Sequence, residues 1–178
     1  HIPLLNSLGP RDILKIMKKI SILIPAYNEQ AVLKKLYTRL AALADGIKDY
    51  NFEFFFVNDG SRDNTLEIIK GYAEKDTRVS YLNLSRNFGK EIAMIAGLDN
   101  VSGDATVIID ADLQDPPELI PEMITWWEKG FDDVYAKRSS RLGESWLKKT
   151  SSKMFYATLQ SVTRIPIQRD TGDFRLLD

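Results

Sequence analysis

The sequence predicts an α/β fold, with one domain in which a mainly parallel sheet is flanked by helices. Short apolar runs typical of buried strands alternate with longer segments in which apolar residues recur every three or four positions. Strands and helices that alternate in this way form right-handed βαβ units. The length of 178 residues suits a single domain with a substantial core.

Five strands are predicted from runs of aliphatic, β-branched and aromatic residues. The second carries the aromatic segment Phe52-Glu-Phe-Phe-Phe56, which we expect in the core. The fourth contains the continuous apolar run Val107-Ile-Ile109, which indicates burial on both faces and places Asp110 where the strand emerges. The predicted strands are Ile20–Pro25, Phe52–Val57, Val79–Leu84, Ala105–Asp110 and the short Val134–Ala136.

A helix is predicted after each of the first four strands. Asn28 is expected to cap the first helix, the third spans Lys90–Leu98, and Pro116-Pro117 is expected to open the fourth. The positions expected to face the core are Leu33, Leu36, Tyr37, Leu40 and Ala44 in the first helix, Leu66, Ile69 and Tyr72 in the second, and Ile120, Met123, Ile124 and Trp127 in the fourth.

Composition excludes several classes of function. The chain has 24 Lys+Arg against 25 Asp+Glu, a balance that argues against a nucleic-acid binder relying on a global basic field. It has no cysteine and its single histidine is His1, which excludes Cys-type zinc sites and Ser-His or Cys-His catalysis. No apolar run approaches the ~20 residues of a membrane span, and no signal-peptide pattern is present, so we expect a soluble, cytoplasmic domain.

The first sixteen residues stand apart from the rest. Residues 1–16 show no clear periodicity, whereas Met17-Lys-Lys-Ile20 resembles a natural start that runs directly into a strand. We expect residues 1–16 to be vector-derived or a flexible segment, with a native N-terminal arm as the alternative. The domain is expected to span residues 17–178.

Polar residues follow each of the first four predicted strands. Because ligands bind beyond the carboxyl ends of the strands in an open α/β sheet, we expect these four loops to build one site. The loops are Pro25-Ala-Tyr27-Asn28-Glu29, Asn58-Asp59-Gly60-Ser61, Ser85-Arg86-Asn87-Phe88-Gly89-Lys90 and Asp110-Ala-Asp112.

The fourth loop suggests a metal site. In extended backbone, side chains two residues apart point the same way, so Asp110, Asp112 and also Gln114 are expected to converge. Oxygen ligands of this kind suit Mg²⁺ or Mn²⁺ and leave positions for water and substrate phosphates.

Each of the other loops has a second interpretation. Tyr27 is placed either to stack on a base or to join the core, and Asp59 either faces a ligand or only forms a turn with Gly60. Arg86 and Lys90 flank a glycine at a helix start, where they either hold phosphate or are solvated.

With these residues assembled, the chain resembles a known family. Ser21–Glu29, Val57–Ser61 and Asp110–Pro117 are similar to motifs of the inverting family 2 glycosyltransferases of the GT-A fold. Leu84–Glu91, Arg141–Ser145 and Gly172–Leu176 more narrowly resemble the polyprenyl-phosphate glycosyltransferases, which include bactoprenol glucosyltransferases and dolichol-phosphate mannose synthase. The resemblance runs from residue 19 to residue 178.

The resemblance implies roles for the site residues. Pro25, Tyr27, Glu29 and Asp59 would line the base and ribose pocket; Asp110, Asp112 and Gln114 would bind Mg²⁺ or Mn²⁺. Asp112 and Arg175 would be catalytic, and Lys90, Arg138 and Arg141 would bind substrate. Arg175, assisted by Lys90 or Arg138, would meet the phosphate charge near the reacting centre. Such enzymes continue past Gly172–Leu176 with an amphipathic segment and membrane helices, so we expect an excised catalytic domain of a protein at the cytoplasmic face of the membrane.

The implied reaction is metal-dependent, inverting transfer of a hexose from a nucleotide-sugar donor to a polyprenyl phosphate. The expected reaction is transfer of glucose from UDP-glucose to undecaprenyl phosphate. GDP-mannose, another UDP-sugar, a different acceptor and a nucleotide-sugar-binding domain without transfer activity are the alternatives; a homo-oligomer and the absence of nucleic-acid partners are further expectations. A nicotinamide dehydrogenase expects Gly-x-Gly-x-x-Gly after the first strand, where Pro25-Ala-Tyr-Asn-Glu29 stands instead.

Overall fold

A computed structural model describes residues 17–137 and 171–178. In that part of the chain a six-stranded sheet has the order β3-β2-β1-β4-β6-β5. The strands are β1 Lys19–Ala26, β2 Asn51–Asn58, β3 Val79–Asn83, β4 Ala105–Ile108, β5 Asp133–Lys137 and β6 Thr171–Leu177. The helices are α1 Leu33–Gly46, α2 Thr65–Ala73, α3 Lys90–Leu98 and α4 Ile120–Glu128, the last preceded by a 3₁₀ turn at Pro117–Leu119.

The topology confirms the predicted mainly parallel sheet. Strand β1 pairs in parallel with both β2 and β4, and β2 pairs in parallel with β3. The chain therefore winds outward from β1 in one direction through β2 and β3, and then returns to place β4 on the other side. A crevice opens at such a reversal because the neighbouring connections leave in opposite directions.

The core lies on both faces of this sheet. On one face, α1, α2 and α4 cover fully buried sheet residues such as Ile22, Phe54 and Val107. On the other face, α3 packs Ala93 against a smaller cluster that includes Leu23 and Val57. Burial on both faces explains why these strands are almost continuously apolar.

Most of the predicted elements are confirmed, with shifts of one or two residues at their ends. Helix α3 has the predicted bounds, and the four positions expected to be buried in α4 are buried. The aromatic segment of β2 lies in the core, as expected. Leu66 in α2 is only half-buried, and Ile68 of the same helix packs against the core instead.

Two details of the prediction are wrong. Asn28 does not cap α1, because it adopts a left-handed conformation (φ 57°) and its side-chain carbonyl accepts a hydrogen bond from the Arg62 backbone instead. The fourth strand ends at Ile108 and not at Asp110, since the chain enters a turn at Ala111.

One strand was not predicted at all. Strand β6 lies antiparallel between β4 and β5, with Leu176 opposite Val107 and Arg175 opposite Ile108. Its pairing partners are about 40 and 70 residues away in the chain, which no local pattern indicates.

In the described ranges, no helix combines the length and apolarity needed to cross a bilayer.

Candidate active site

Residues of all four polar loops line one cavity beyond the carboxyl ends of β1, β2 and β4. Its volume is roughly 300 Å³, the lower end of the range for small-molecule sites. It lies at the point where the strand order reverses. The residues around it are Pro25, Ala26, Tyr27, Glu29, Asp59, Asn87, Lys90, Ala93, Asp110, Ala111 and Asp112.

The cavity is strongly acidic. Among the described residues, the carboxylates of Glu29, Asp59, Asp110 and Asp112 line it together with the ammonium of Lys90. Burial raises the pKa of Glu29, and the negative charges of Asp112, Asp63 and Asp110 raise it further. Burial likewise raises the pKa of Asp110, an effect that Lys90 opposes and that Asp112 and Asp115 reinforce. This cavity therefore favours cations and repels an uncompensated anion.

Lys90 and Asp110 form an ion pair within the cavity. The Nζ atom of Lys90 lies 2.5 Å from Oδ1 and 2.6 Å from Oδ2 of Asp110, so one ammonium spans both carboxylate oxygens. Lys90 is the first residue of α3, and Asp110 follows the end of β4. The pair thus joins the third and fourth polar loops.

Asp59 holds the loop that precedes Lys90. It is 3 % exposed, and its two oxygens accept hydrogen bonds from the backbone N–H groups of Phe88 (2.8 Å) and Gly89 (3.0 Å). The neighbouring Gly60 has φ +64°, and a Cβ there would lie 2.3 Å from the Arg86 carbonyl carbon. The turn-forming and ligand-facing interpretations of Asp59-Gly60 are therefore compatible: the turn positions the carboxylate against the next loop and beside the cavity.

The loops after β1 and β2 are joined by backbone-to-side-chain hydrogen bonds. The Asn28 N–H donates to Ser61 Oγ (2.9 Å), and the Glu29 N–H donates to Thr65 Oγ1 (2.8 Å). Tyr27, the first residue after β1, is 40 % exposed, lines the cavity and is not part of the core. An exposed aromatic ring held on an anchored loop is available to stack on a planar ligand.

The predicted convergence of three metal ligands is only partly observed. Asp110 and Asp112 both line the cavity, but Gln114 is not among the residues that line it. The backbone is not extended here, because Leu113 has φ 64° and the Gln114 N–H donates to Asp112 Oδ1 (3.0 Å) in a tight turn. Among the described residues, no three His, Asp or Glu side chains are grouped to hold a metal ion.

Arg175, which is expected at the site, is not among the described residues that line the cavity. Arg175 lies on β6 beside Ile108, and its Nη1 atom is 3.5 Å from Oδ2 of Asp133. Because Asp133 pairs toward the Leu177 end of β6, the guanidinium is directed away from the edge that carries Asp110. Arg138 and Arg141 lie outside the described residues, as do residues 1–16.

This geometry can be compared with known proteins. The family model described as Glycosyl transferase family 2 matches residues 21–178, which is most of the chain. The chain belongs to glycosyl transferase family 2. It is a glycosyltransferase domain, and the family resemblance noted in the sequence is confirmed.

Two relatives illustrate how similar other family members are. The domain is 51% identical over 158 residues to the uncharacterized glycosyltransferase YkcC of Bacillus subtilis, covering 89% of this chain and 49% of that protein. It is 43% identical over 159 residues to the bactoprenol glucosyl transferase of Shigella phage SfV, covering 89% of this chain and 52% of that protein. The chain thus spans about half the length of these relatives.

A solved structure shows the same fold. The mannosyltransferase PcManGT from Pyrobaculum calidifontis, in complex with GDP-Man and Mn²⁺, matches with a TM-score of 0.62 at 19% identity. The match covers 92% of this chain and 45% of that chain. The glycosyltransferase domain therefore has the GT-A fold that the resemblance implied.

Sequence reasoning assigned no individual role to several residues that line this cavity. Ala26, Ala93 and Ala111 line the cavity, but alanine carries no chemical signature that marks it as ligand-facing. Asn87 also lines it; it lies in the third of the polar loops expected to build the site, but no role was predicted for it. The anchoring of Asp59 to Phe88 and Gly89 has no local signature because it joins loops 29 and 30 residues apart.

Proposed function

We propose that this glycosyltransferase domain transfers a hexose from a nucleoside diphosphate sugar to a polyprenyl phosphate, with inversion at the anomeric carbon. The specific proposal is glucose from UDP-glucose to undecaprenyl phosphate. The name of the 43% identical phage relative, bactoprenol glucosyl transferase, supports the glucose and the lipid class. The observation that carries the proposal is the acidic cavity at the strand reversal, which is lined by an exposed tyrosine and by the Asp110–Lys90 pair.

The cavity has suitable groups for both parts of a nucleotide. Tyr27 and Pro25 offer apolar surface for a base, and Glu29 offers a carboxylate acceptor for ribose hydroxyls. Asp59 has two further lone pairs besides those used by Phe88 and Gly89, so it can also accept from a base N–H. Lys90 supplies positive charge for phosphate.

A divalent cation fits the donor set. A diphosphate that enters beside four carboxylates would be repelled without a cation. Asp110 and Asp112 present hard oxygen ligands of the kind Mg²⁺ and Mn²⁺ prefer, and a pair of carboxylates leaves room for water and phosphate oxygens. We therefore assign these two residues to the cation, with Gln114 as a further ligand only if the turn at Leu113 opens. When bound, the cation would neutralise charge on the departing diphosphate.

The acceptor explains why the cavity needs no histidine or thiol base. A phosphate monoester has a second pKa of ~6, so it is largely ionised at neutral pH. One of its oxygens can attack the anomeric carbon directly while the bond from that carbon to the diphosphate breaks. The nucleoside diphosphate then leaves with the electron pair, and a single displacement inverts the configuration. The protein's contribution is to orient the two substrates and stabilise the charge.

Phosphate charge near the reacting centre is assigned to basic residues. Lys90 is already in the cavity. Arg175 would have to leave Asp133 and turn toward the site edge, and Arg138 and Arg141 complete the proposed set. Because the acceptor is a lipid, the full-length protein is proposed to act at the cytoplasmic face of the membrane, and a homo-oligomer is part of this proposal.

Calorimetry with UDP and GDP, with Mn²⁺ or with EDTA, tests the donor and the metal together. We expect UDP to bind with Mn²⁺ and to lose at least tenfold in affinity with EDTA. Asp110→Asn should weaken UDP·Mn²⁺ binding, whereas Asp99→Asn, which removes one exposed charge at the far end of α3, should leave it unchanged. Equal UDP affinity with Mn²⁺ and with EDTA would refute the metal assignment. Tighter binding of GDP than of UDP would refute the assignment of a uridine nucleotide donor.

Transfer is tested with the full-length protein, UDP-glucose or GDP-mannose, and undecaprenyl phosphate in detergent. The expected product is an inverted glucosyl phospholipid formed only in the UDP-glucose reaction. Tight donor binding without transfer to any polyprenyl phosphate would favour the nucleotide-sugar-binding alternative.

A further inference from the structure

The position of Lys90 is fixed by the loop that precedes it and by its ion pair with Asp110. It follows Gly89, whose φ is +100°, and the N–H of Gly89 is held by the buried carboxylate of Asp59. Its side chain is 35% exposed and that of Asp110 is 22% exposed, so the pair is partly shielded from water. Lys90 is therefore not one of the lysines that sample solvent freely on the protein surface.

The placement of this lysine is electrostatically unusual. It is the first residue of α3, where the partial positive charge of the helix N-terminus disfavours a cation. The negative charge of the cavity compensates for this. Lys90 thus acts as the positive charge that balances Asp110 among four carboxylates.

The ion pair and a metal ligand role for Asp110 compete with each other. The ammonium contacts both oxygens of the carboxylate, so a divalent cation that binds them must approach the same electron pairs against a positive charge. A lysine side chain is a compact charge on a flexible four-carbon stem, which allows it to move by several ångströms without a change in the backbone.

We propose that Lys90 is an exchangeable counter-ion for Asp110. In the donor-free protein it holds the carboxylate, and when the nucleoside diphosphate enters it moves to the phosphates and leaves Asp110 to the divalent cation. This inference rests on the proposed function, because it assumes a diphosphate donor and a cation at Asp110. Its consequence is that metal and diphosphate bind cooperatively: each binds weakly alone because Lys90 remains on Asp110, and each strengthens the other.

The proposed cooperativity predicts that removing the Lys90 charge strengthens Mn²⁺ binding in the absence of UDP but weakens the effect of UDP on Mn²⁺ binding. Removing the charge in Lys90→Met should raise the affinity for Mn²⁺ alone by about tenfold, within the 5–150-fold range of typical coupling between ligands. The same substitution should reduce the factor by which UDP strengthens Mn²⁺ binding, because the group that links the two events is absent. Lys90→Arg, which keeps the charge, should behave like the wild type in Mn²⁺ binding.

The experiment measures free Mn²⁺ by electron paramagnetic resonance during titration of the protein, with and without UDP. Lys90→Gln serves as a second neutral variant, and thermal unfolding checks that each variant is folded. Lys129→Met is the matched control, since Lys129 lies over the Trp126 ring outside the cavity and should leave Mn²⁺ affinity unchanged.

The outcomes separate the inference from the proposed function. If UDP and Mn²⁺ bind together to the wild type but both neutral variants bind Mn²⁺ alone no more tightly than the wild type does, the counter-ion role is overturned while the donor site stands. If the wild type binds neither UDP nor GDP with Mn²⁺, the proposed function fails and the inference fails with it.

Discussion

Replacing Gly60 by alanine tests whether the contact between the second and third polar loops is as tight as the structure shows. A residue with a Cβ at φ +64° is strained by ~1–2 kcal/mol. The added Cβ would also lie 2.3 Å from the carbonyl carbon of Arg86 and 2.5 Å from the backbone nitrogen of Asn87. Because both are backbone atoms, the loop at Arg86–Asn87 must move as a unit.

That movement would disturb the hydrogen bonds that Asp59 accepts from Phe88 and Gly89. A hydrogen bond to a charged group contributes about 1.5–3 kcal/mol. We expect the loop movement to weaken the two hydrogen bonds together by roughly the free energy of one of them. With the strain included, Gly60→Ala should lower the free energy of unfolding by about 2.5–5 kcal/mol. Urea denaturation followed by circular dichroism measures this change.

Two other glycines separate the contributions. Gly130 has φ +91° but no atom within 4 Å of an added Cβ, so Gly130→Ala should cost only the strain of ~1–2 kcal/mol. Gly71 lies within α2 with neither constraint, so Gly71→Ala should stabilise by ~0.5–1 kcal/mol. If Gly60→Ala is no less stable than Gly130→Ala, the loop contact is not tight and the reasoning is refuted.

Two further predictions concern Asp76 and Tyr27. Hydrogen bonds from Arg78 lower the pKa of Asp76 from 3.8 to about 2, although burial opposes this shift. The stabilisation that the ionised Asp76 gives the folded protein is therefore complete above pH 3.8 and is lost as the pH falls toward 2. Asp76→Asn should therefore cost about 1–2 kcal/mol at pH 7 and nothing below pH 2 in denaturation curves, and a pH-independent difference would contradict the assignment. Tyr27→Ala should weaken UDP binding by ~1–3 kcal/mol in calorimetry, because stacking on the base is lost. Tyr27→Phe and the equally exposed Tyr135→Ala should leave UDP affinity unchanged. A loss of UDP affinity in Tyr27→Phe would point to the tyrosine hydroxyl and not to stacking.

Local patterns were sufficient for much of the fold. The buried faces of α1 and α4 follow the helical period, and the runs of β1 and β2 follow from burial on both faces of a parallel sheet. The grouping of Tyr27, Asp59 and Asp110 could be predicted because the carboxyl ends of parallel strands meet at one edge. Strand β6 could not be predicted, because its partners β4 and β5 are distant in sequence and its pairing is antiparallel.

The sequence by itself determined the fold class, the family and the types of side chain at the site edge, because periodicity and motif spacing are properties of neighbouring residues. Only the tertiary structure decided which atoms meet. It turned the chain at Leu113 so that Gln114 is not among the residues that line the cavity, bound Asp59 to the loop of Phe88, and directed Arg175 toward Asp133. It also placed the ammonium of Lys90 on Asp110. These contacts join residues 20 to 42 positions apart or depend on one backbone angle, and both are settled only when the whole sheet is assembled.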